Sequence, residues 1–208
     1  MNKLIIAAAL SAAFAANIAS AQEAAAPAAT PPDNQFAYNL GLTSDYRYRG
    51  ISQSRLNPAI SGGVDYTHNP TGFYLGTWIS SIRWISDAGG NGNTEIDLYG
   101  GKRGEIVKDV SYDVGVLRYY YPSNDLAVSA NTTEVYGQLG YGPAYIKYSH
   151  SVTNLFGFAD SKNSGYLDIG ANIDLGSGYT LNLHAGHQKV KNNSDFSYTD
   201  WKVGVTKD

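Results

Sequence analysis

The sequence of 208 residues contains no cysteine, and only 16% of its residues are charged. Without cysteine, the chain can form neither a disulfide scaffold nor a thiolate metal site, and it has no cysteine nucleophile. Its formal net charge of -3 gives no basic surface, so nucleic acid is not expected as a partner. Glycine and tyrosine are abundant, with 23 and 17 residues. Few charges with so many of these two residues argue against a disordered chain and against an ordinary helical enzyme.

The N-terminus has the pattern of an export signal. Lys3 provides a short basic region, and residues 4–16 form an apolar run broken only by Ser11. Ala19-Ser20-Ala21 matches a cleavage site with small residues, so we predict a signal peptide at residues 1–21. A membrane anchor is the alternative, but the run is shorter than the roughly 20 residues that span a bilayer.

The region after the predicted cleavage site divides into two parts. Residues 22–34 are rich in alanine and proline, which predicts an extended periplasmic linker without packed structure. Residues 35–208 are predicted to fold as one domain. Mean hydropathy is -0.28, which leaves no room for a helical membrane protein once residues 1–21 are set aside.

Apolar and polar residues alternate along the whole predicted domain, and no helical period of useful length appears. We count ten strands from Phe36 onward. The alternation is clearest where Leu167, Ile169, Ala171, Ile173 and Leu175 alternate with Asp168, Gly170, Asn172 and Asp174. Residues 73–82 are apolar on both faces and do not fit. Two architectures produce such alternation: a soluble sandwich with apolar faces inside, or a membrane barrel with its apolar face outside.

The connections favour the barrel. Short connections fall at residues 69–72, 103–109, 140–143 and 176–178, and mostly longer polar ones at 52–57, 83–93, 122–131, 152–164 and 189–197. Short turns that alternate with long loops are typical of outer-membrane barrels, whereas a Greek-key sandwich should not alternate so regularly. The sequence therefore predicts an all-β fold, a transmembrane up-and-down antiparallel β-barrel.

Aromatic residues gather at the strand ends. Those beside the short turns are Tyr66, Phe73, Tyr74, Tyr141, Tyr145 and Tyr179, and those beside the long loops are Tyr46, Tyr48, Trp84, Tyr119, Tyr120, Tyr121, Tyr148 and Tyr198. Two aromatic belts at the membrane interfaces are the prediction. The alternative is that tyrosine is simply a good strand former.

One passage resembles a known family. Residues 39–54, NLGLTSDYRYRGISQS, resemble the N-terminal signature of the TorF family of porins, also called Gcw_chp proteins. The likeness continues through residues 72–78 (GFYLGTW), 95–99 (EIDLY), 112–115 (YDVG) and 121–122 (YP), and ends in 197–208 (SYTDWKVGVTKD). The resemblance implies a bacterial porin in the cell outer membrane, with outer-membrane lipid, periplasmic chaperones and the barrel assembly machinery as partners. The resemblance does not assign a catalytic or ligand-binding role to any residue of this sequence.

The number of strands departs from the family pattern. Family members look as if they continue with another hairpin and end in a strand with a terminal aromatic residue, whereas this sequence ends in VTKD. An open sheet of ten strands would leave two unpaired edges in lipid. We therefore expect a truncated form of a fold with twelve strands, and a complete barrel of ten strands is the alternative.

No pattern predicts an enzyme, a metal or a cofactor. His184 and His187 lie three residues apart on a predicted strand, so they point to opposite faces and cannot share a metal ion. His150 stands between Ser149 and Ser151, but neighbours on a strand also face opposite ways. The common nucleophile, phosphate-binding and zinc motifs are missing.

The candidate functional residues are the charged side chains predicted to face the lumen. They are Asp45, Arg47, Arg49, Asp65, Glu95, Asp97, Asp113, Glu134, Lys147, Asp168, Asp200 and Lys202. Charges on one face of a barrel line a wet lumen and tune what passes through it. Arg47 and Arg49 are predicted at the end of the first strand, about 7 Å apart, where they would form a constriction. The alternative is a salt-bridge network that fills and closes a narrow lumen.

Three functions remain open from the sequence. The first is a small channel for diffusion of polar solutes or ions, which the resemblance and the polar lumen favour. The second is a non-conducting structural or adhesive barrel that acts through its outer loops. The third is a soluble periplasmic β-sandwich that binds a ligand.

Overall fold

The computed structural model describes residues 31–208. The predicted signal peptide at 1–21 and residues 22–30 of the predicted linker lie outside the described residues. The first strand begins at Asn34, one residue before the predicted start of the domain.

Nearly all regular structure is β-strand. The strands are β1 (Asn34–Thr43), β2 (Arg47–Tyr48), β3 (Ile51–Ser52), β4 (Ala59–His68), β5 (Phe73–Ser81), β6 (Thr94–Val107), β7 (Val110–Tyr120), β8 (Thr132–Tyr141), β9 (Ala144–Ser151), β10 (Gly165–Gly176), β11 (Tyr179–Lys189) and β12 (Tyr198–Lys207). One helical turn, α1 (Trp84–Asp87), follows β5, and a 3-10 turn (Ser194–Phe196) precedes β12. Within residues 31–208, no helix is long and apolar enough to cross a membrane.

Ten strands form a single antiparallel sheet in the order β1-β4-β5-β6-β7-β8-β9-β10-β11-β12, and β2 and β3 form a separate small hairpin. The all-β antiparallel prediction and the count of ten long strands are confirmed. The sheet is not closed by hydrogen bonds, because β1 and β12 do not pair with each other in the described region. It curls so strongly, however, that the Tyr74 hydroxyl on β5 contacts the Tyr136 hydroxyl on β8.

The connections alternate as predicted. Residues 69–72, 108–109, 142–143 and 177–178 form tight turns at one end of the sheet (the turn end). Residues 44–58, 82–93, 121–131, 152–164 and 190–197 form longer loops at the opposite end (the loop end). The largest difference in a boundary is at residues 103–107, which belong to β6 because the hairpin reverses only at Asp109, whose φ is positive at 65°. Strands β8, β10 and β11 also extend one or two residues into the predicted connections.

The sheet exposes apolar side chains on one face and buries charged side chains on the other, which is the opposite of the arrangement in a typical soluble protein. On the convex face, Leu40 is 69% exposed and Leu75 is 60% exposed. On the concave face, Glu95 and Asp97 are 1% and 3% exposed. The alternation of the sequence therefore places apolar side chains outward and charged side chains inward.

Strand β5, which resisted sorting by sequence, has aromatic residues on its inner face. Tyr74 and Trp78 point inward and are buried, whereas Phe73, Leu75 and Ile79 are exposed on the convex face. Both faces are apolar because the interior of the curled sheet is filled partly by aromatic rings.

The predicted aromatic belts are only partly present. Tyr141 and Tyr148 are 71% and 50% exposed on the convex face, but Tyr46, Tyr119 and Tyr121 are buried inside. Glycines on neighbouring strands make room for such inward rings. A Cβ atom at Gly115 of β7 would lie 2.6 Å from the Tyr136 hydroxyl oxygen. Position along the strand did not reveal which aromatic rings point inward.

Candidate functional site: the concave polar interior

The curled sheet brings most of the predicted lumen residues together. Those on the concave face are Asp65, Glu95, Asp97, Asp113, Glu134, Lys147, Asp168 and Asp200, all of them buried or half-buried. Lys202 lies on β12 but is exposed. These eight residues come from seven strands: Glu95 and Asp97 share β6, and the others lie one each on β4, β7, β8, β9, β10 and β12.

The first three predicted residues do not lie on the first strand. β1 ends at Thr43, and the chain then turns back through the β2–β3 hairpin, where Arg49 and Gly50 both have positive φ, 46° and 76°. The prediction that Arg47 and Arg49 share one strand face was therefore wrong. Arg47 is half-exposed and forms an ion pair with Asp45, whereas Arg49 is turned into the interior.

Arg49 is the best-connected charged residue of the interior. Its Nη1 and Nη2 atoms lie 2.9 Å and 2.7 Å from the two carboxylate oxygens of Glu134 on β8. Nη1 also donates to Gln188 Oε1 on β11 at 3.0 Å. The guanidinium carbon lies 4.2 Å from the ring centre of Tyr166 on β10. Such two-point pairing fixes the orientation of the guanidinium as well as its position.

A second group lies on β5, β7, β8 and β9, nearer the turn end. The Tyr74 hydroxyl donates to Asp113 Oδ1 at 2.6 Å. The Lys147 ammonium lies 4.1 Å from the ring centre of Tyr136, in the geometry of a cation–π contact. A charge of each sign is therefore held beside phenol rings rather than left in contact with apolar groups.

A third group centres on His184 of β11. Its Nδ1 lies 2.8 Å from Asp168 Oδ1, and its Nε2 lies 2.7 Å from Asp200 Oδ1. The Tyr166 hydroxyl donates to Asp200 Oδ2 at 2.8 Å, which links this group to Arg49 through the shared tyrosine. Both ring nitrogens of the histidine already have partners. In residues 31–208 no cluster of three or more His, Asp or Glu side chains could hold a metal ion.

Near the loop end, Tyr46 donates its hydroxyl proton to Glu95 Oε1 at 2.9 Å. The Tyr121 hydroxyl also interacts with the Glu95 carboxylate. One oxygen of Asp97 is buried without a hydrogen-bond partner in the described part of the chain, and the second oxygen of Glu95 has no partner at full hydrogen-bond geometry there. Burial of carboxylates without partners is costly. These two residues are therefore a polar feature that the surrounding side chains do not fully satisfy.

Apolar side chains cover the interior at the loop end. This loop-end cluster consists of Tyr46, Ala59, Trp78, Ile82, Ile85, Tyr119, Tyr121 and Ala130. Ile82 and Ile85 come from the loop before β6, and Tyr46 comes from the loop after β1. The turn end differs, since Asn172 and Asp174 on the inner face of β10 are exposed. The interior is thus filled at one end and accessible at the other.

The loop after β1 has its own electrostatic centre at Asp45. Burial by itself raises the pKa of this carboxyl group. A hydrogen bond from Ser52 and the nearby charge of Arg47 act in the opposite direction, and together with the Leu56 backbone they outweigh the effect of burial. The backbone N–H of Leu56 also donates to Asp45 Oδ1, at 3.1 Å. The pKa of Asp45 therefore lies below its usual value of 3.8, and the ionised form stabilises the loop.

Sequence reasoning missed several interior residues that connect the charges: Tyr74, Tyr136, Tyr166, His184 and Gln188. The alternation of apolar and polar residues places His184 on the polar face of its strand, so its position in the interior could have been predicted from the sequence. For Tyr74 and Tyr136 the available signal was a glycine as register partner on a neighbouring strand, Gly101 and Gly115 respectively.

The fold and the interior define a class: an antiparallel all-β protein with an apolar convex face and a charged concave face. The sequence profile of a family described as "Bacterial protein of unknown function (Gcw_chp)" matches residues 24–208. The chain belongs to this family. No curated protein and no solved structure matches the chain.

Proposed function

We propose that the protein resides in the bacterial outer membrane, with its convex face against lipid and its concave face around a polar lumen. One observation carries this proposal: large apolar side chains are exposed along the convex face while carboxylates are buried on the concave face. Lipid-facing and lumen-facing residues alternate in this way in membrane barrels. A soluble sandwich would instead cover the apolar face with a second sheet, and residues 31–208 form only one large sheet.

Within that setting, the proposed activity is that of a porin, a narrow channel for small polar solutes or ions. Beneath the loop-end cluster the interior carries charges of both signs, such as Arg49, Glu134 and Lys147, and its turn end is accessible. The ion pair of Arg49 and Glu134 is the constriction, because it spans from the first loop to β8. Charged rings and pairs at a narrow point determine which ions pass.

A second candidate is a barrel that does not conduct and acts through its loops. The loop-end cluster favours it, because Tyr119, Ile85 and Tyr121 are all 2% exposed or less and leave little space between them. In this case the polar interior is a structural network rather than a pathway.

Membrane residence is tested first. The full chain, expressed in a Gram-negative host, should fractionate with the outer membrane and resist extraction by alkaline carbonate. It should also migrate differently on gels before and after heating, as folded membrane barrels do. Recovery in the soluble periplasmic fraction as a folded protein would reject the proposal.

Conductance separates the two candidates. Purified folded protein, inserted into planar bilayers, should give discrete conductance steps if the lumen is a pathway. Arg49→Ala should then shift selectivity towards cations, because Glu134 loses its counter-charge. Arg47→Ala is the matched control, since Arg47 is 54% exposed and forms its ion pair with Asp45 in the same loop rather than with an interior carboxylate. It should leave the reversal potential unchanged. Inserted protein without steps would favour the second candidate.

A further inference from the structure

An open groove of about 560 Å³ lies on the convex face, across β5, β6 and β7. Part of its floor is the backbone of Gly100, which has no side chain to fill the space between its register partners. These partners are Leu75 on β5 and Val116 on β7, and both side chains are exposed. The groove therefore exists because a glycine interrupts a row of large apolar residues.

Lys102 lines the groove on the side of the turn end. It lies two residues after Gly100 on β6, on the same face of the strand, and it is exposed. Its register partner is Phe73, the first residue of β5, which itself pairs with His68, the last residue of β4. Lys102 thus lies beside the ends of two strands. In a membrane barrel, strand ends lie at the level of the lipid headgroups.

The charge of Lys102 is not neutralised by the protein. None of the ion pairs formed within residues 31–208 involves this residue. Its ammonium lies 5.3 Å from the ring centre of Phe73, in a cation–π contact that holds the charge beside the groove. An anion can therefore bind Lys102 without displacing a carboxylate.

The combination of an apolar groove and a free cation matches one kind of molecule, which has an anionic head and an apolar tail. Lysine side chains near the ends of membrane-spanning segments extend along apolar surface and place the ammonium at the headgroups. Attraction between such a lysine and anionic lipid is a general feature of membrane surfaces. The groove adds a defined place for the apolar tail.

We propose that this convex groove binds one acyl chain of an anionic phospholipid whose phosphate pairs with Lys102. The inference rests on the proposed function, because only a convex face within the membrane meets lipid, and it adds a specific lipid site. The chain runs from Lys102 towards the loop end, between Leu75 and Val116. Short turns of outer-membrane barrels face the periplasm, so the lipid belongs to the inner leaflet.

The test is native mass spectrometry of the folded full chain in detergent, titrated with dioleoyl-phosphatidylglycerol. Dioleoylglycerol, which has the same chains without the phosphate, and glycerol phosphate, which has the phosphate without the chains, are the control probes. We expect saturable binding of one phosphatidylglycerol molecule, about fivefold tighter than that of dioleoylglycerol. Glycerol phosphate should not bind measurably.

Variants separate the two parts of the site. Lys102→Gln removes the charge, so it should weaken phosphatidylglycerol binding about fivefold and leave dioleoylglycerol binding unchanged. Gly100→Val fills the floor, but its Cβ atom would lie 3.2 Å from the Tyr74 carbonyl oxygen. Val116→Phe is therefore the second filling variant, because it adds bulk to a side chain that is already exposed. Both filling variants should weaken the binding of both lipids.

Lys207→Gln is the matched control. Lys207 also lies at the turn end beside an aromatic ring, 4.9 Å from the ring centre of Tyr179, but it does not line the groove. This variant should bind phosphatidylglycerol as the parent does. Only variants that still show the heat-dependent change in gel migration are compared, so loss of folding is not read as loss of binding.

Three results would overturn the proposal. They are phosphatidylglycerol binding by Lys102→Gln equal to that of the parent, unchanged binding by folded filling variants, and a dimer without bound lipid, which would assign the groove to a second copy of the chain. A folded protein recovered outside the membrane would reject the proposed function and the lipid site together. A membrane-resident protein that binds no phosphatidylglycerol would reject the lipid site alone.

Discussion

Arg49, in the loop after β1, and Glu134, on β8, form an ion pair with two hydrogen bonds although they stand 85 positions apart in the chain. The pair connects the first loop to a strand in the middle of the sheet. Both side chains are almost fully buried, at 6% and 2% exposure. Because it joins two distant parts of the chain, the fold depends on this buried pair.

The first prediction concerns that dependence. Arg49→Met should lower the free energy of unfolding by about 3 to 5 kcal/mol, because it leaves the Glu134 carboxylate buried without its partner. Glu134→Gln in the same chain should restore part of the loss, since the uncompensated charge is then removed. Reversible urea unfolding of the protein in lipid or detergent measures both effects.

Arg47→Met is the control for that experiment. Arg47 is 54% exposed, and exposed ion pairs contribute about 1 kcal/mol or less. Equal losses for Arg47→Met and Arg49→Met would contradict the view that burial makes the difference.

The second prediction compares the two faces of one strand. Ile169 and Asn172 are both on β10 and both exposed, but Ile169 lies on the convex face and Asn172 on the concave face. Ile169→Arg should destabilise the protein in lipid by about 2 to 4 kcal/mol if the convex face meets the bilayer near its midplane. Asn172→Arg should cost much less. Similar costs in lipid would reject the assignment of the convex face to the membrane.

The third prediction concerns glycines beneath tyrosine rings. A Cβ atom at Gly115 would lie 2.6 Å from the Tyr136 hydroxyl and 2.7 Å from the Gly100 carbonyl oxygen, so Gly115→Ala should destabilise by about 1 to 3 kcal/mol. Gly137→Ala, on the adjacent strand, meets only a Val114 methyl group at 4.0 Å and should be neutral or slightly stabilising. The measurement is the thermal unfolding temperature of the two variants, compared with that of the parent protein. A Gly115→Ala variant as stable as the parent would refute the proposed packing.

The fourth prediction concerns pH. The folded-state pKa of Asp45 is lowered from 3.8, so its contribution is fully present above about pH 3.8 and is lost as the pH falls through the lower folded value. The amide of Leu56, which donates to Asp45 Oδ1, should lose protection from hydrogen exchange in that acidic window. Asp45→Asn should lose the pH dependence. The amide of Gly72, which donates to the His68 carbonyl at the turn end, is the control and should show no such step.

Much of the fold could be predicted from the sequence because strand alternation is a local property. Residues such as Leu167 and Asp168 face opposite ways in any extended chain, and glycine and polar residues mark the turns. Part of the strand order followed as well, since the four short turns force the strands on either side of them to pair. The other neighbours were predicted from the regular alternation of short turns and long loops. Eight of the predicted lumen residues accordingly lie, buried or half-buried, on the concave face.

The path of the chain beyond Thr43 was decided by tertiary structure. Alternation continues through Asp45, Arg47 and Arg49 in the sequence, yet the strand stops, because Arg49 gains a buried carboxylate partner that no local pattern contains. The same reason applies to Tyr74, Tyr119 and Trp78. A tyrosine or tryptophan suits either side of a sheet, and only a partner across the interior, such as Asp113 for Tyr74, selects the inner side. Alternation by itself determined which residues share a face, whereas contacts between distant strands decided what fills the interior and where it is closed.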